Sequence, residues 1–471
     1  MDVRYNLITW AHRQTRGWSY GQPIVDPRTG EIIRGNVTLG SQRVRQDILI
    51  AESLLAPYDK ADAAERKDRA ERMALARLRQ LAAHEVGHAL GFAHNFAASR
   101  HGNGSVMDYP HPLLTLAADG SIGLENAYGV GIGPWDDFIV AHAYAEFAPG
   151  DEAAALARLR ADIAAQGYRY VSDADARGPG DAEPDGLLWD SGPDTLATFD
   201  LLMMARRRAL DAFSIGVLPP QRQTGELEAR LVPVYLLHRY QTEGVARLLG
   251  GVHYAYSSAA DRQAGTTPVP GAQQRAALDR LVATLGADTL ALPANVLDLV
   301  TPPAVEYQRN REYFATRTAP LFDPLSAAEA GAAQTLLFLF APERLNRLGW
   351  QHARDAAMPG VGDVLDATFR ATWQRDGAVD RPAAGAVQLA ANWVVLDALL
   401  QTLNGGQLHA QVDAEVRATL AQWQTQLAKS RGRGAEAASR AEAASLIARY
   451  LADPKSVTLR PLPVVPPGAP I

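Results

Sequence analysis

The chain contains no cysteine. Disulfides, thiol nucleophiles and cysteine-ligated metals are thereby excluded together, and the redox compartment stays undetermined. Charge of one sign is not in strong excess. A net charge of −6 over 471 residues gives no broad basic field, so nucleic acid is not an expected partner. Long apolar runs are missing as well. The best candidate, Ala386 to Leu400, is broken by Gln388, Asn392 and Asp397, and no transmembrane segment is expected. With 47% hydrophobic and 21% charged residues, the composition is that of a folded globular chain long enough for two or three domains. The first residues, Met1 to Ile8, hold no charged-then-apolar secretory segment, and natural sequence is expected upstream of Met1.

Histidine is also scarce, at 11 residues, which makes its clustering informative. His84-Glu85-Val86-Gly87-His88-Ala89-Leu90-Gly91-Phe92-Ala93-His94 reads HExxHxxGxxH. In so histidine-poor a chain these five fixed positions should arise by chance only on the order of 10⁻⁵ times. Four residues apart on a helix, His84 and His88 project from nearly the same face and make half of a tetrahedral Zn²⁺ site. Glu85 lies beside them, where a carboxylate reaches a water on the metal. Gly91 can take the positive φ that stops a helix abruptly, after which the chain turns back and His94 arrives as third ligand. Asp108 is a rival third ligand, because a downstream carboxylate can fill that role.

Ser105-Val106-Met107-Asp108-Tyr109-Pro110 follows. The long histidine motif with this S-x-M-x-Y segment resembles the metzincin clan of zinc endopeptidases. The resemblance implies that Met107 lies in a tight turn beneath the histidines as a structural residue. It also implies that Tyr109 approaches the metal, where its phenol would donate a hydrogen bond to the oxyanion of peptide hydrolysis. In that clan a strand before the active-site helix forms the upper rim of the cleft, and extended polypeptide pairs with its open edge. Arg34 to Gly40, with Arg34, Gly35, Asn36, Val37 and Thr38 as substrate-binding residues, is the expected rim.

The fold class expected on this basis is α+β: a metzincin-like catalytic domain, with a small twisted mixed sheet and the active-site helix, followed by a mainly α-helical C-terminal domain. Strand signals at Tyr5–Trp10 and Glu31–Leu39 and helix signals at Ser41–Ala56, Arg72–Leu90 and Pro134–Phe147 fill a catalytic domain over 1–150. Gly17–Gly21 and Asp26–Gly30 look like turns. Residues 151–194 are read as a Gly/Pro/Asp-rich connecting segment. Its acidic residues raise structural Ca²⁺ as a candidate, although Arg177 and Pro184 sit where an EF-hand needs oxygen ligands. Helical periodicity dominates 195–460, and 461–471 is a Pro-rich tail. His101 and His111 are read as solvated loop histidines.

The resemblance extends beyond the clan signature. HEVGHALGFAHNFAAS, SVMDYP, RYNLITWAHR and DPRTGEI, with weaker helical matches such as YLLHRYQTEGVARLLGG, are similar to a family of large bacterial secreted zinc metalloproteases whose domains are mostly uncharacterised. That implies a secreted, periplasmic or cell-envelope location. Two other functions stay open at the level of sequence: a binding or scaffold protein on a retired protease fold, and a zinc hydrolase of a non-peptide amide or ester.

Overall fold

The computed structural model describes residues 5–13, 17–259, 265–307, 309–375, 381–429 and 433–467. Met1 and the last part of the expected tail, 468–471, lie outside the described residues. Contacts gather the chain into two units, Met1–Arg177 with Asp185–Gln241, and Gly178–Pro184 with Thr242–Pro466.

The first unit begins with three strands: β1 (Leu7–Ala11), β2 (Tyr20–Val25) and β3 (Ile32–Gly40). β1 and β3 are rich in β-branched and aromatic residues and form where the sequence predicts them. β2 does not. Gly21 and Pro23 punctuate it like a turn, yet each suits its place. A proline lacks the N–H of an interior ladder and is confined to an edge strand. Gly21 lets a helix approach: a Cβ built there would lie 1.9 Å from the Glu85 carbonyl oxygen.

The strand order is β1-β3-β2. β3 pairs in parallel with β1, Leu7 opposite Asn36 and Ala11 opposite Gly40, and antiparallel with β2, Tyr20 opposite Thr38 and Ile24 opposite Arg34. This corrects the expected rim. Arg34, Gly35, Asn36, Val37 and Thr38 sit on the central strand, with both edges occupied, and β2 is the antiparallel edge strand instead. The order follows from composition: β3 is the longest strand and carries no proline, so both of its edges can pair.

One face of the sheet lies on α2 (Ala63–Ala89), which follows α1 (Gln42–Leu55). Val37 and Leu39 pack there with Leu81 and Ala89, and Gly35 meets the Ala89 side chain, its virtual Cβ 3.1 Å away. α2 begins nine residues before the expected Arg72, because the charged, Ala-rich stretch before it continues the same helix. α3 (Pro134–Tyr144) starts with proline in its first turn and a capping box at Asp136. The expected connecting segment holds α4 (Glu152–Ala165), whose Ala/Leu composition is helical although the residues after it are turn-rich. α5 (Thr195–Asp211) is capped by Asp194, whose carboxylate accepts from the Leu196 and Ala197 amides at 3.0 Å. α5 and α6 (Leu227–Tyr235) pack on α1 and so belong to the first unit, which places them apart from the helical domain expected over 195–460.

The second unit is mainly helical. Pro324–Leu339 packs on Pro382–Asn404, and Ala410–Lys429 on Gly434–Ala452. Pro382–Asn404 is the one helix among the described residues long and apolar enough to cross a membrane, and most of that apolar window is buried inside the protein. Its polar residues have internal partners. Gln388 accepts from the Ala287 amide at 2.8 Å and donates to Asn392 at 2.9 Å, and Asp397 pairs with Arg460 at 3.1 Å.

Candidate metal centre and active site

α2 ends in a Schellman motif. The Phe92 amide donates to the Gly87 carbonyl at 3.0 Å and the Gly91 amide to that of His88 at 3.0 Å, with Gly91 at φ +90°. That reversal returns the chain over the last turn of the helix and delivers His94 to the face that carries His84 and His88.

The three imidazoles converge through their Nε2 atoms. His88 Nε2 lies 3.0 Å from that of His84 and 3.1 Å from that of His94. Each Nδ1 is engaged by an acceptor: His84 with the Val106 carbonyl at 2.6 Å, His88 with the Phe92 carbonyl at 2.8 Å, and His94 with Asp173 at 2.6 Å. An Nδ1 that donates its proton leaves Nε2 as a bare lone pair in the neutral ring. Three lone pairs facing one point repel unless a cation lies between them, and three neutral imidazoles with anchored Nδ1–H groups are a donor set suited to Zn²⁺. Burial and the neighbouring imidazoles push His84 well below its ordinary range, and burial lowers His88. Both stay in the ligating form.

Glu85 is 5% exposed. Burial pushes its carboxyl up to about 7, against the opposing influence of Arg77 and of the Gly21 amide, which donates to it. A carboxylate with that affinity for protons is matched to taking one near neutrality.

Beneath the histidines runs the turn through Met107, which is 1% exposed. A Cβ on Gly87 would fall 2.2 Å from Met107 Sδ, so the motif's middle glycine is the space the methionine fills. One buried carboxylate organises the turn: Asp136 accepts from Ser105 Oγ at 2.6 Å, the Val106 amide at 2.8 Å and the Gly133 amide at 2.7 Å. The Val106 carbonyl, thus positioned, also accepts from Gln80 at 3.1 Å. Asn95, next to the last histidine, ties this turn to a later segment. Its amide donates to the Met107 carbonyl at 3.1 Å, and its side chain bonds the Arg169 carbonyl at 2.9 Å and the Val171 amide at 3.1 Å.

The Tyr109 ring lies 4.7 Å from that of His94 and 5.2 Å from that of His84, stacked on Trp189 at 5.6 Å. Its hydroxyl hydrogen-bonds Arg177. Burial raises the phenol above its usual value, with Arg177 opposing, so it remains a donor. Glu85, Tyr109, Arg177 and Trp189 line one cavity of about 90 Å³ together with Gly17, Ser19 and Gln42.

Asp173 and Arg177 carry no recognisable motif, and sequence reasoning missed both. They come from a 3₁₀ turn, Asp173–Asp175, and the residues just after it, 79 positions beyond His94. Arg177 Nε bonds Asp173 at 2.7 Å while Asp173 holds His94. Despite the cost of burial, these two partners keep the Asp173 carboxyl far below the usual carboxylate range. A carboxylate behind a ligating histidine fixes the ring and raises its basicity. Asp173→Ala is therefore expected to weaken Zn²⁺ binding about 10–100-fold, read by competition against a chromophoric chelator. An unchanged affinity would remove Asp173 from the site.

Two alternatives fall away and one expectation is corrected. Asp108 is spent on the Ser99 and Tyr109 amides, at 2.7 Å each, and His94 stands with the other histidines instead. Calcium is not supported: Asp173 pairs with His94, Asp185 with Arg100 at 2.8 Å, and Asp194 caps α5. His111 is buried, donating from Nδ1 to the Pro112 carbonyl at 2.9 Å, and burial pushes it down to about 4.

The model of a family described as Met-zincin matches residues 66–378. No curated protein and no solved structure matches the chain.

Proposed function

Matched over well more than half of its length, the chain belongs to the Met-zincin family, and from that premise we propose that it is a zinc-dependent endopeptidase. The observation that carries the reading is the convergence of three Nε2 lone pairs beside a buried, proton-seeking Glu85. His84, His88 and His94 hold the metal. Bound Zn²⁺ supplies a Lewis acid that polarises a carbonyl and makes a water acidic near pH 7.

The remaining work falls to the chain's own groups. Glu85 takes the proton of the attacking water and returns it to the departing amine. The Tyr109 hydroxyl, held at the same cavity, donates to the developing oxyanion. Arg177 fixes that hydroxyl and, through Asp173, the orientation of His94. Extended polypeptide pairs with β2. Pro23 has no N–H to give β3, and Gly21, two residues before it, gives its N–H to Glu85.

The test joins metal analysis to digestion. One Zn²⁺ per chain is expected, with cleavage of an unfolded protein substrate that stops on chelation and returns when Zn²⁺ is restored. Zinc binding with no peptide cleavage, whatever the unfolded substrate, would overturn the reading and favour a scaffold or a hydrolase of other amides and esters.

A further inference from the structure

Asn95 follows the last histidine directly and is fully buried, at 0% exposure. Its carboxamide meets a stretch 74 to 76 positions away that belongs to no helix or strand. Nδ2 donates to the Arg169 carbonyl at 2.9 Å, and Oδ1 accepts from the Val171 amide at 3.1 Å. The orientation of the carboxamide is fixed by its partners. The Ala97 amide, at 3.3 Å, points at the same atom as the Val171 amide, so that atom is the oxygen, and the NH₂ is left to face a carbonyl. The carbonyl of one residue and the amide two residues on are what an extended chain offers along one edge. The Asn95 side chain thus stands in for a neighbouring strand, and Phe96 extends the pairing, its amide donating to the Val171 carbonyl at 2.8 Å.

Two residues past Val171 stands Asp173, whose carboxylate reaches His94 Nδ1 at 2.6 Å. The connections therefore close a ring, from His94 through Asn95 to residues 169–171, on to Asp173 and back to the imidazole. Apolar contacts also hold this part of the chain: Ala176 packs with Phe96, and the Arg177 guanidinium lies 5.5 Å from the Phe96 ring centroid. Such contacts are non-directional. A donor and an acceptor matched to alternate backbone groups set a register, and a slip of one residue would turn every side chain of an extended stretch to its other face. A carboxylate in place of the carboxamide has no proton for the Arg169 carbonyl, and an aliphatic side chain answers neither group. We propose that Asn95 is a positioning residue of the metal centre: its carboxamide sets the register of residues 169–173 and, through Asp173, holds His94 for the metal. The proposal rests on the metal-binding half of the reading above and is independent of hydrolysis.

The experiment is a double-mutant cycle read in Zn²⁺ affinity, by competition with a chromophoric chelator, over the native chain, Asn95→Ala, Asp173→Ala and the double variant. Asn95→Ala is expected to weaken Zn²⁺ binding about tenfold or more in the native background. In the Asp173→Ala background it should cost less than about threefold, because the group it acts through is already gone. The same loss in both backgrounds would overturn the proposal and leave Asn95 a packing residue. An unchanged affinity in Asn95→Ala would overturn it too. A native chain that binds no Zn²⁺ is a different result, and sinks the metal reading itself. A second measurement needs no substitution at Asn95 and decides the matter if Asn95→Ala does not fold. By linkage, Zn²⁺ should slow amide hydrogen exchange across residues 169–173 in the native chain and much less in Asp173→Ala. Equal slowing in the two chains would show that the metal orders this stretch without Asp173, and would overturn the proposal.

Discussion

Glu85→Gln is expected to keep one Zn²⁺ per chain and to lose about 10²–10⁴ of kcat, the range that a positioned general acid–base group contributes. The substitution is nearly isosteric and exchanges a proton acceptor for an amide. None of the three histidines relies on Glu85, since each Nδ1 is held by Val106, Phe92 or Asp173. The metal-binding part should therefore survive while the proton-transfer part fails. The glutamine oxygen can still accept from the Gly21 amide, so the approach of β2 to the helix is also preserved. Zinc content by elemental analysis and single-turnover cleavage of one peptide check both halves. Substantial residual kcat with full zinc would end the general-base assignment. Loss of zinc would mean that Glu85 supports the ligands themselves.

Removing one hydroxyl should produce the second large effect. Tyr109→Phe is expected to lower kcat about 10²–10³-fold, as deletion of an oxyanion donor does, with KM and zinc content close to native. The ring would keep its stacking on Trp189 and its contacts with His84 and His94, so packing does not confound the reading. Arg177 loses one partner and keeps Asp173. The split between kcat and KM decides: an interaction made only as the oxyanion forms appears in kcat alone. A fall below about threefold would reduce Tyr109 to a wall of the site.

The legible part of this protein was what local periodicity and spacing encode. HExxHxxGxxH placed two histidines on one face and the third after a glycine reversal, and the structure has that helix, that reversal and that convergence. Two of the strands and α1 were legible for the same reason. What escaped depends on contacts distant in sequence. Asp173 and Arg177 are ordinary residues in a turn-rich stretch, and nothing local distinguishes the aspartate that meets His94 from Asp194, which caps a helix. β2 was hidden because Gly21 and Pro23 signal turns, and their reason for being in a strand is the helix lying under one and the open edge beside the other. Without β2, the sequence offers β3 no partner on that side, and β3 reads as the rim. Gly87 holds none of the motif's fixed positions, yet a methionine 20 residues later occupies the place of its side chain.

The same β2 edge bears on aggregation. A strand with an open edge is also a template for other chains. Here the template is short. Pro23 interrupts it, and the ladder shifts register between Ile24 and Val25, so that only Tyr20 to Gln22 runs without interruption. Stacked-sheet aggregates grow from uninterrupted segments of about six or seven residues without proline. The uninterrupted edge is too short to nucleate a fibril.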